Sequence, residues 1–151
     1  MKGSYAAGLA MMLTLFALVW QVQDGRKRMA ASRLLYRAEA ISLEVMAAGT
    51  APRAYLQQNL RDLRRAANLD PLEAAIPLAL GSQFLLLDSP QAAQEAYLQA
   101  LEIEPRPETY LNLGKAQFRS GQEEAARENF DRAIKLDWHF KSEIPRQARE
   151  R

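Results

Sequence analysis

Residues 112–138 read NLGKAQFRSGQEEAARENFDRAIKLDW, and residues 79–105 read ALGSQFLLLDSPQAAQEAYLQALEIEP. Laid over each other at an offset of 33, Leu80-Gly81 falls on Leu113-Gly114, Ala93 on Ala126, Tyr97 on Phe130, Ala100 on Ala133, Leu101 on Ile134 and Ile103 on Leu136. Self-similarity at such a period is the mark of a stacked repeat. The second copy predicts a helix from about Glu108 to Arg119, a break at Ser120-Gly121-Gln122 where glycine takes a left-handed conformation at low cost, and a helix from about Glu123 to Leu136. Ala126, Phe130, Ala133 and Ile134 recur at three and four residues, one face of that second helix. Gly114 and Ala126 have almost no side chain, as two helices crossing at short distance require, and Phe130 fills the space beside them.

Working outward, a third and more degenerate unit precedes these two. Arg28–Ala48 carries Leu34, Ala38, Ile41 and Val45 at helical spacing, Gly49-Thr50-Ala51-Pro52 breaks it, and Arg53–Ala67 carries Leu56, Leu60, Leu63 and Ala67. Asn68-Leu69-Asp70-Pro71 closes the unit, with Asp70 and Glu73 flanking Pro71 in the pattern of an N-cap with proline at the first helical position. Pro77 predicts either a kink near Ile76 or a helix that starts there, because a mid-helix proline costs about 3 kcal/mol. One unit cannot bury its own face, so about three are needed for stability. After them, Trp138, Phe140 and Ile144 suit a short cap over the open end of the last unit, or a tail extended onto a partner.

This pattern resembles the tetratricopeptide-repeat family. The residues that carry it are Tyr110, Leu113-Gly114, Ala126, Phe130, Ala133 and Lys135-Leu136-Asp137 in one unit, and Leu80-Gly81, Ala93, Tyr97, Ala100 and Glu102-Ile103-Glu104-Pro105 in the other. The chain departs from the pattern at Trp138, where a closing proline is expected, and at Pro77, where helix A usually has an aromatic residue. The resemblance implies an all-α, right-handed helix-turn-helix solenoid that binds other proteins.

The N-terminus points to a membrane. Residues 3–22, GSYAAGLAMMLTLFALVWQV, carry no charge and would form roughly 30 Å of helix at about 1.5 Å per residue, the thickness of a hydrocarbon core. Tyr5 and Trp20 stand near its ends, where amphipathic rings prefer the interface, and Arg26-Lys27-Arg28 follow as a strongly hydrated edge. A cleaved signal peptide competes with this reading, but the run exceeds a usual apolar core of such a peptide, and ALVWQVQDG offers no small-x-small cleavage site. Gly3/Ala7, Ser4/Gly8 and Ala6/Ala10 are small pairs spaced by four, which would let another helix approach. Arg26, Lys27, Arg28, Arg33 and Arg37 on the C-terminal side favour a cytoplasmic soluble domain, although long domains translocate with less regard to charge and the opposite topology stays open. The chain thus reads as a single-pass protein of a membrane such as the bacterial inner membrane. Its segments are an anchor (1–25), a degenerate helical hairpin (26–73), two repeat units (74–138) and a C-terminal cap or tail (139–151).

Composition excludes much chemistry. With no cysteine and one histidine, His139, the chain has no thiol nucleophile and no material for a Cys/His metal cluster. Gly114-Lys115 lacks the glycine framework and the strand of a phosphate loop. Ser120 and His139 lack an acid partner and an oxyanion site, and Glu102, Glu104 and Glu108 lack the dense ligand spacing of a calcium loop. From Arg26 to Arg65 there are nine Lys/Arg against three Asp/Glu, a charge that suits anionic headgroups better than nucleic acid, since it follows an apolar span and lacks interleaved aromatics. The reading therefore has no catalytic, cofactor or metal residues, no nucleic acid and no small-molecule substrate.

By resemblance, ligands would lie in the concave groove lined by the first helix of each unit. Here that surface comprises Leu78, Ser82 and Leu85, then Glu108, Leu111, Asn112, Lys115, Phe118 and Arg119, with packing against the neighbouring unit an equal reading for Leu85. The lysine and asparagine clamp with which some family members hold a C-terminal carboxylate is not reproduced. Leu111 and Phe118 beside Lys115 and Arg119 suit an amphipathic segment with acidic residues. The expected function is a membrane-anchored interaction scaffold, an accessory or assembly subunit of a larger membrane complex. The alternative is an envelope chaperone or biogenesis factor that binds clients transiently through the same groove.

Overall fold

The computed structural model describes residues 2–49 and 52–149, leaving the side chains of residues 2–10, 46 and 149 outside the description. Six helices follow in order: α1 (Lys2–Ala48), α2 (Arg53–Leu69), α3 (Ala75–Leu86), α4 (Pro90–Ile103), α5 (Pro107–Arg119) and α6 (Glu123–Leu136). A 3-10 segment, Trp138–Glu143, and a single turn, α7 (Arg146–Arg149), complete the chain. Each helix packs mainly on its neighbours in sequence, giving three stacked hairpins, α1/α2, α3/α4 and α5/α6.

The two turns that close α3 and α5 repeat each other bond for bond. Gln122 N–H donates to Gln117 O at 2.9 Å and Gly121 N–H to Phe118 O at 3.1 Å; 33 residues earlier, Ser89 N–H donates to Phe84 O at 2.9 Å and Asp88 N–H to Leu85 O at 3.2 Å. This pairing ends a helix through one left-handed residue. Gly121 supplies it at φ +76°, whereas the equivalent residue in the preceding hairpin is Asp88 at φ +54°. Pro90 and Pro107 open α4 and α5 in the first turn, where no amide hydrogen is needed. Pro77 lies in the first turn of α3, so it starts the helix without kinking it.

The predicted N-cap at Asp70 is not formed. The turn at 71–72 delays α3 to Ala75, five residues on, so Asp70 lies too far back to cap its first amides and instead ends α2 at φ −139°. Glu73 does the capping, its Oε1 accepting from Ala75 N–H at 3.3 Å. The break predicted over 49–52 begins at Gly49, φ +70°; residues 50 and 51 lie outside the described residues.

The core follows the apolar periodicity in part: Ala38, Ile41, Val45, Leu56 and Leu63 are buried as expected, whereas Leu34, Leu60 and Ala67 are only partly buried and Ala31, Leu35 and Ala66 are buried instead. Ala31, Leu35, Ala38, Leu63, Ala66, Ile76, Leu80 and Ala96 join the first hairpin to the second. Ala93, Tyr97, Leu113 and Ala116 join the second to the third. A polar bridge crosses the first junction. Asn59 Nδ2 donates to Gln83 Oε1 at 2.8 Å and to Ala38 O at 3.1 Å, while Gln83 Nε2 donates to Leu56 O at 3.1 Å. Both side chains are fully buried, so α1, α2 and α3 are keyed to one register by bonds that a slipped pairing would leave unmade.

At the N-terminus, α1 passes through Gly25 as one continuous helix of 47 residues. Among the described residues no helix is long and apolar enough to cross a membrane. The span predicted over 3–22 reaches back into residues 2–10, and Tyr5 and the small-residue pairs lie outside the described side chains.

Candidate functional site

The expected groove residues fall on α3 and α5, which the Tyr97 cluster holds side by side. Leu78 and Leu85 are half-buried against Ala93, Tyr97, Leu113 and Ala116. They therefore serve the junction between hairpins. Ser82 lies between them in register, its Oγ donating to Leu78 O at 3.2 Å and standing 3.3 Å from the Tyr97 hydroxyl. Arg119 is exposed at the end of α5 and reaches across, its Nη1 donating to Leu85 O at 3.3 Å. Burial pushes the Tyr97 hydroxyl up to about 12, against smaller opposing effects from the Ser82 hydrogen bond and the Arg119 charge.

On α5 the predicted surface divides. Leu111 is 1% exposed, in a core cluster with Ala126, Phe130, Ala133 and Ile144, and is not a surface anchor. The reason is the tail, which folds back over the last hairpin and sets Ile144, 5% exposed, on that cluster. Phe118 is half-buried against the same cluster beside Glu123, Arg127, Gln147 and Ala148. Lys115 pairs with Glu143 of the 3-10 segment, Nζ to Oε2, at 3.4 Å. Leu111, Lys115 and Phe118 are thus engaged by the chain's own C-terminus, leaving Glu108, Asn112 and Arg119 as a small polar surface. Trp138, expected to help cover the open end, is 70% exposed; Phe140 and Ile144 do that work.

Two exposed pairs lie just after α4 and α6. Arg106 donates to Glu104, a hydrogen bond that holds the Glu104 carboxyl below its usual range. Asp137 accepts from the His139 amide at 3.0 Å and lies 2.8 Å from its ring Nδ1, and the amide bond is the larger cause of a lowered Asp137 pKa. No three His, Asp or Glu among the described residues form a group that could hold a metal ion. Of the residues expected at a membrane edge, Trp20 is 63% exposed, Arg26 and Lys27 are exposed, and Arg28 Nε pairs with Asp24 at 2.9 Å.

Three features were missed at the sequence level: the Asn59–Gln83 bridge, the tail's cover over Leu111, and the Arg119 reach to Leu85. A polar residue at a core register position was the available signal for the first. Gln83 stands between Ile76 and Leu80 before it and the C-cap Leu87 after it along the apolar face of α3, and Asn59 between Leu56 and Leu63 on that of α2.

The family model for the tetratricopeptide repeat matches residues 107–137, which are α5, α6 and the turn between them. No curated protein matches. Among solved structures, the chain is similar to a thermophilic tetratricopeptide-repeat protein of Thermus thermophilus, with 22% identity and a TM-score of 0.65, covering 78% of this chain and 61% of that one. The chain thus spans less than two thirds of that protein's length, and the likeness speaks to the fold. The described helices form an all-α solenoid similar to that of tetratricopeptide-repeat proteins, and the hairpin α5/α6 is the unit that the family model matches.

Proposed function

We propose that the chain is a membrane-anchored protein–protein interaction scaffold, an accessory or assembly subunit of a larger membrane complex. The observation that supports this is the first half of α1. From Met11 to Val22 every large apolar side chain is more than half exposed, Phe16 at 72% and Leu18 at 58% among them, on all sides of the helix. Exposed apolar surface of this extent is strongly unfavourable in water at about 25 cal/mol per Å². The same helix continues without a break into the half that carries the solenoid, so lipid around the first half would hold the repeats at a membrane, with Arg26, Lys27 and Arg28 at its edge. The positive-inside bias favours a solenoid on the cytoplasmic side.

Alkaline carbonate extraction of membranes that contain the full chain tests the anchor. The chain should stay in the pellet, and a Leu15→Lys/Leu18→Lys variant should be released; release of the native chain would end the reading. Purification in mild detergent tests the subunit role. A stoichiometric complex that survives salt supports it, whereas a variable set of weakly held proteins replaces it with a chaperone or biogenesis factor.

A further inference from the structure

Beyond its apolar half, α1 carries two apolar faces. One is buried: Ala31, Leu35, Ala38, Ile41 and Val45 pack on the rest of the solenoid. The other consists of Met29, Tyr36 and Leu43, which are 57, 72 and 68% exposed. These three are seven residues apart, and the same spacing continues backward through Val22 and Leu15. A seven-residue step brings a side chain back to within about 20° of its starting direction, so Met29, Tyr36 and Leu43 stay within about 40° of one another and the five together form a stripe that winds through about 80°. At about 100° per residue the stripe points away from the buried face, and no other described helix of the chain covers it.

The charge beside the stripe states what would cover it. Arg26, Arg33 and Arg37 lie on one flank of the stripe and Arg28 on the other, with no acidic residue between 26 and 37; Glu39 and Glu44 follow beside Leu43. Only Arg28 has an ion-pair partner among the described residues, Asp24. Arg33 is one helical turn from both Met29 and Tyr36, on the rim of the stripe. A second copy docked in parallel would bring this basic rim against its own equivalent, where like charges repel. We propose that the stripe docks a helix of another protein that has an apolar seam flanked by Asp and Glu, running alongside α1 from the anchor to Leu43. The inference deepens the proposed scaffold reading and rests on it for the common membrane that would hold both helices upright. Binding itself does not require lipid.

The test uses the full chain in mild detergent and a dye-labelled, four-heptad synthetic helix with a leucine seam and glutamate flanks, against the same helix with lysine flanks. The glutamate-flanked helix should bind about tenfold or more tightly, with the preference shrinking at high salt. Met29→Ser/Tyr36→Ser/Leu43→Ser should abolish binding while leaving the thermal unfolding of the solenoid in place, since all three side chains are exposed. Equal binding of the two helices, or unchanged binding by the triple variant, would overturn the proposal. The chain has no cysteine, so a Tyr36→Cys variant reports self-association cleanly. Rapid disulfide dimerisation at that position would overturn the proposal in favour of a second copy. Carbonate release with helix binding intact removes the anchor alone; a membrane-bound chain that fails to bind the acidic helix removes the stripe alone.

Discussion

A Cβ on Gly81 would stand 2.3 Å from Cε1 of the buried Tyr97 ring, closer than any side-chain carbon can approach. The next hairpin repeats the arrangement, Gly114 against Phe130 at 2.6 Å, with Ala126 O at 3.1 Å as a backbone obstacle. Alanine is the better helix former by about 1 kcal/mol, but overpacking a full core costs about 1–3 kcal/mol, so the clash wins. Gly81→Ala should therefore lower the urea midpoint. Tyr97→Leu in the same chain should restore part of the loss, giving a non-additive double-mutant cycle. A Gly81→Ala chain as stable as the native one would show that the hairpins are not held by this contact.

Tyr97 also sets a pH dependence. Its folded-state value, about 12, lies above the ordinary 10.0, so the folded chain holds the phenol proton more tightly than the unfolded chain. The resulting stabilisation is fully present below pH 10 and is lost as pH rises from 10 to 12, a change of roughly 2–3 kcal/mol at about 1.4 kcal/mol per unit. Urea unfolding across that window should show the loss in the native chain and a smaller one in Tyr97→Phe. Identical pH slopes would remove Tyr97 as the cause.

The left-handed turn at Asp88 is a third point of leverage. Glycine occupies the equivalent position in the next hairpin, and non-glycine residues take this conformation at a cost. Asp88→Gly should raise stability by about 0.5–1 kcal/mol, whereas Asp88→Val should lower it by more than that. Thermal unfolding of the two variants decides the matter.

Removing the polar key between the first two hairpins should be expensive. Gln83→Leu removes its bonds to Asn59 Nδ2, which keeps Ala38 O, and to Leu56 O, a loss of about 0.5–1.5 kcal/mol for each bond. Hydrogen exchange should show α1 and α2, which hold the hydrogen-bond partners of Gln83, opening before α5 and α6. Uniform opening of all hairpins would contradict a local key.

Much of this was legible from the residues. Gly121 fixed the turn between α5 and α6, and Phe130 with Ala126 fixed the buried face, because both follow from local conformation and helical period. Asp70 misled because the local pattern of an N-cap is shared by a chain leaving a helix into an extended residue before proline. Leu111 misled for another reason. Its register position faces inward toward the groove, and only the fold-back of residues far along the chain, Ile144 above all, covers it. Arg119 was placed on the right face, but its hydrogen bond to a backbone oxygen 34 residues away depends on how two hairpins dock, which local pattern does not encode.

The unbroken passage of α1 through Gly25 makes helical phase, rather than distance, the quantity that relates its apolar half to the solenoid. Two residues inserted between Gly25 and Met29 would turn the solenoid by about 200° about the α1 axis, sending the expected groove residues to the opposite side. Seven would return it to within about 20° of its native heading while carrying it outward by only about 10 Å. A chain that tolerates the longer insertion and fails with the shorter one would behave as a rigid pointer, in which direction is inherited residue by residue from the first turn of helix to the last.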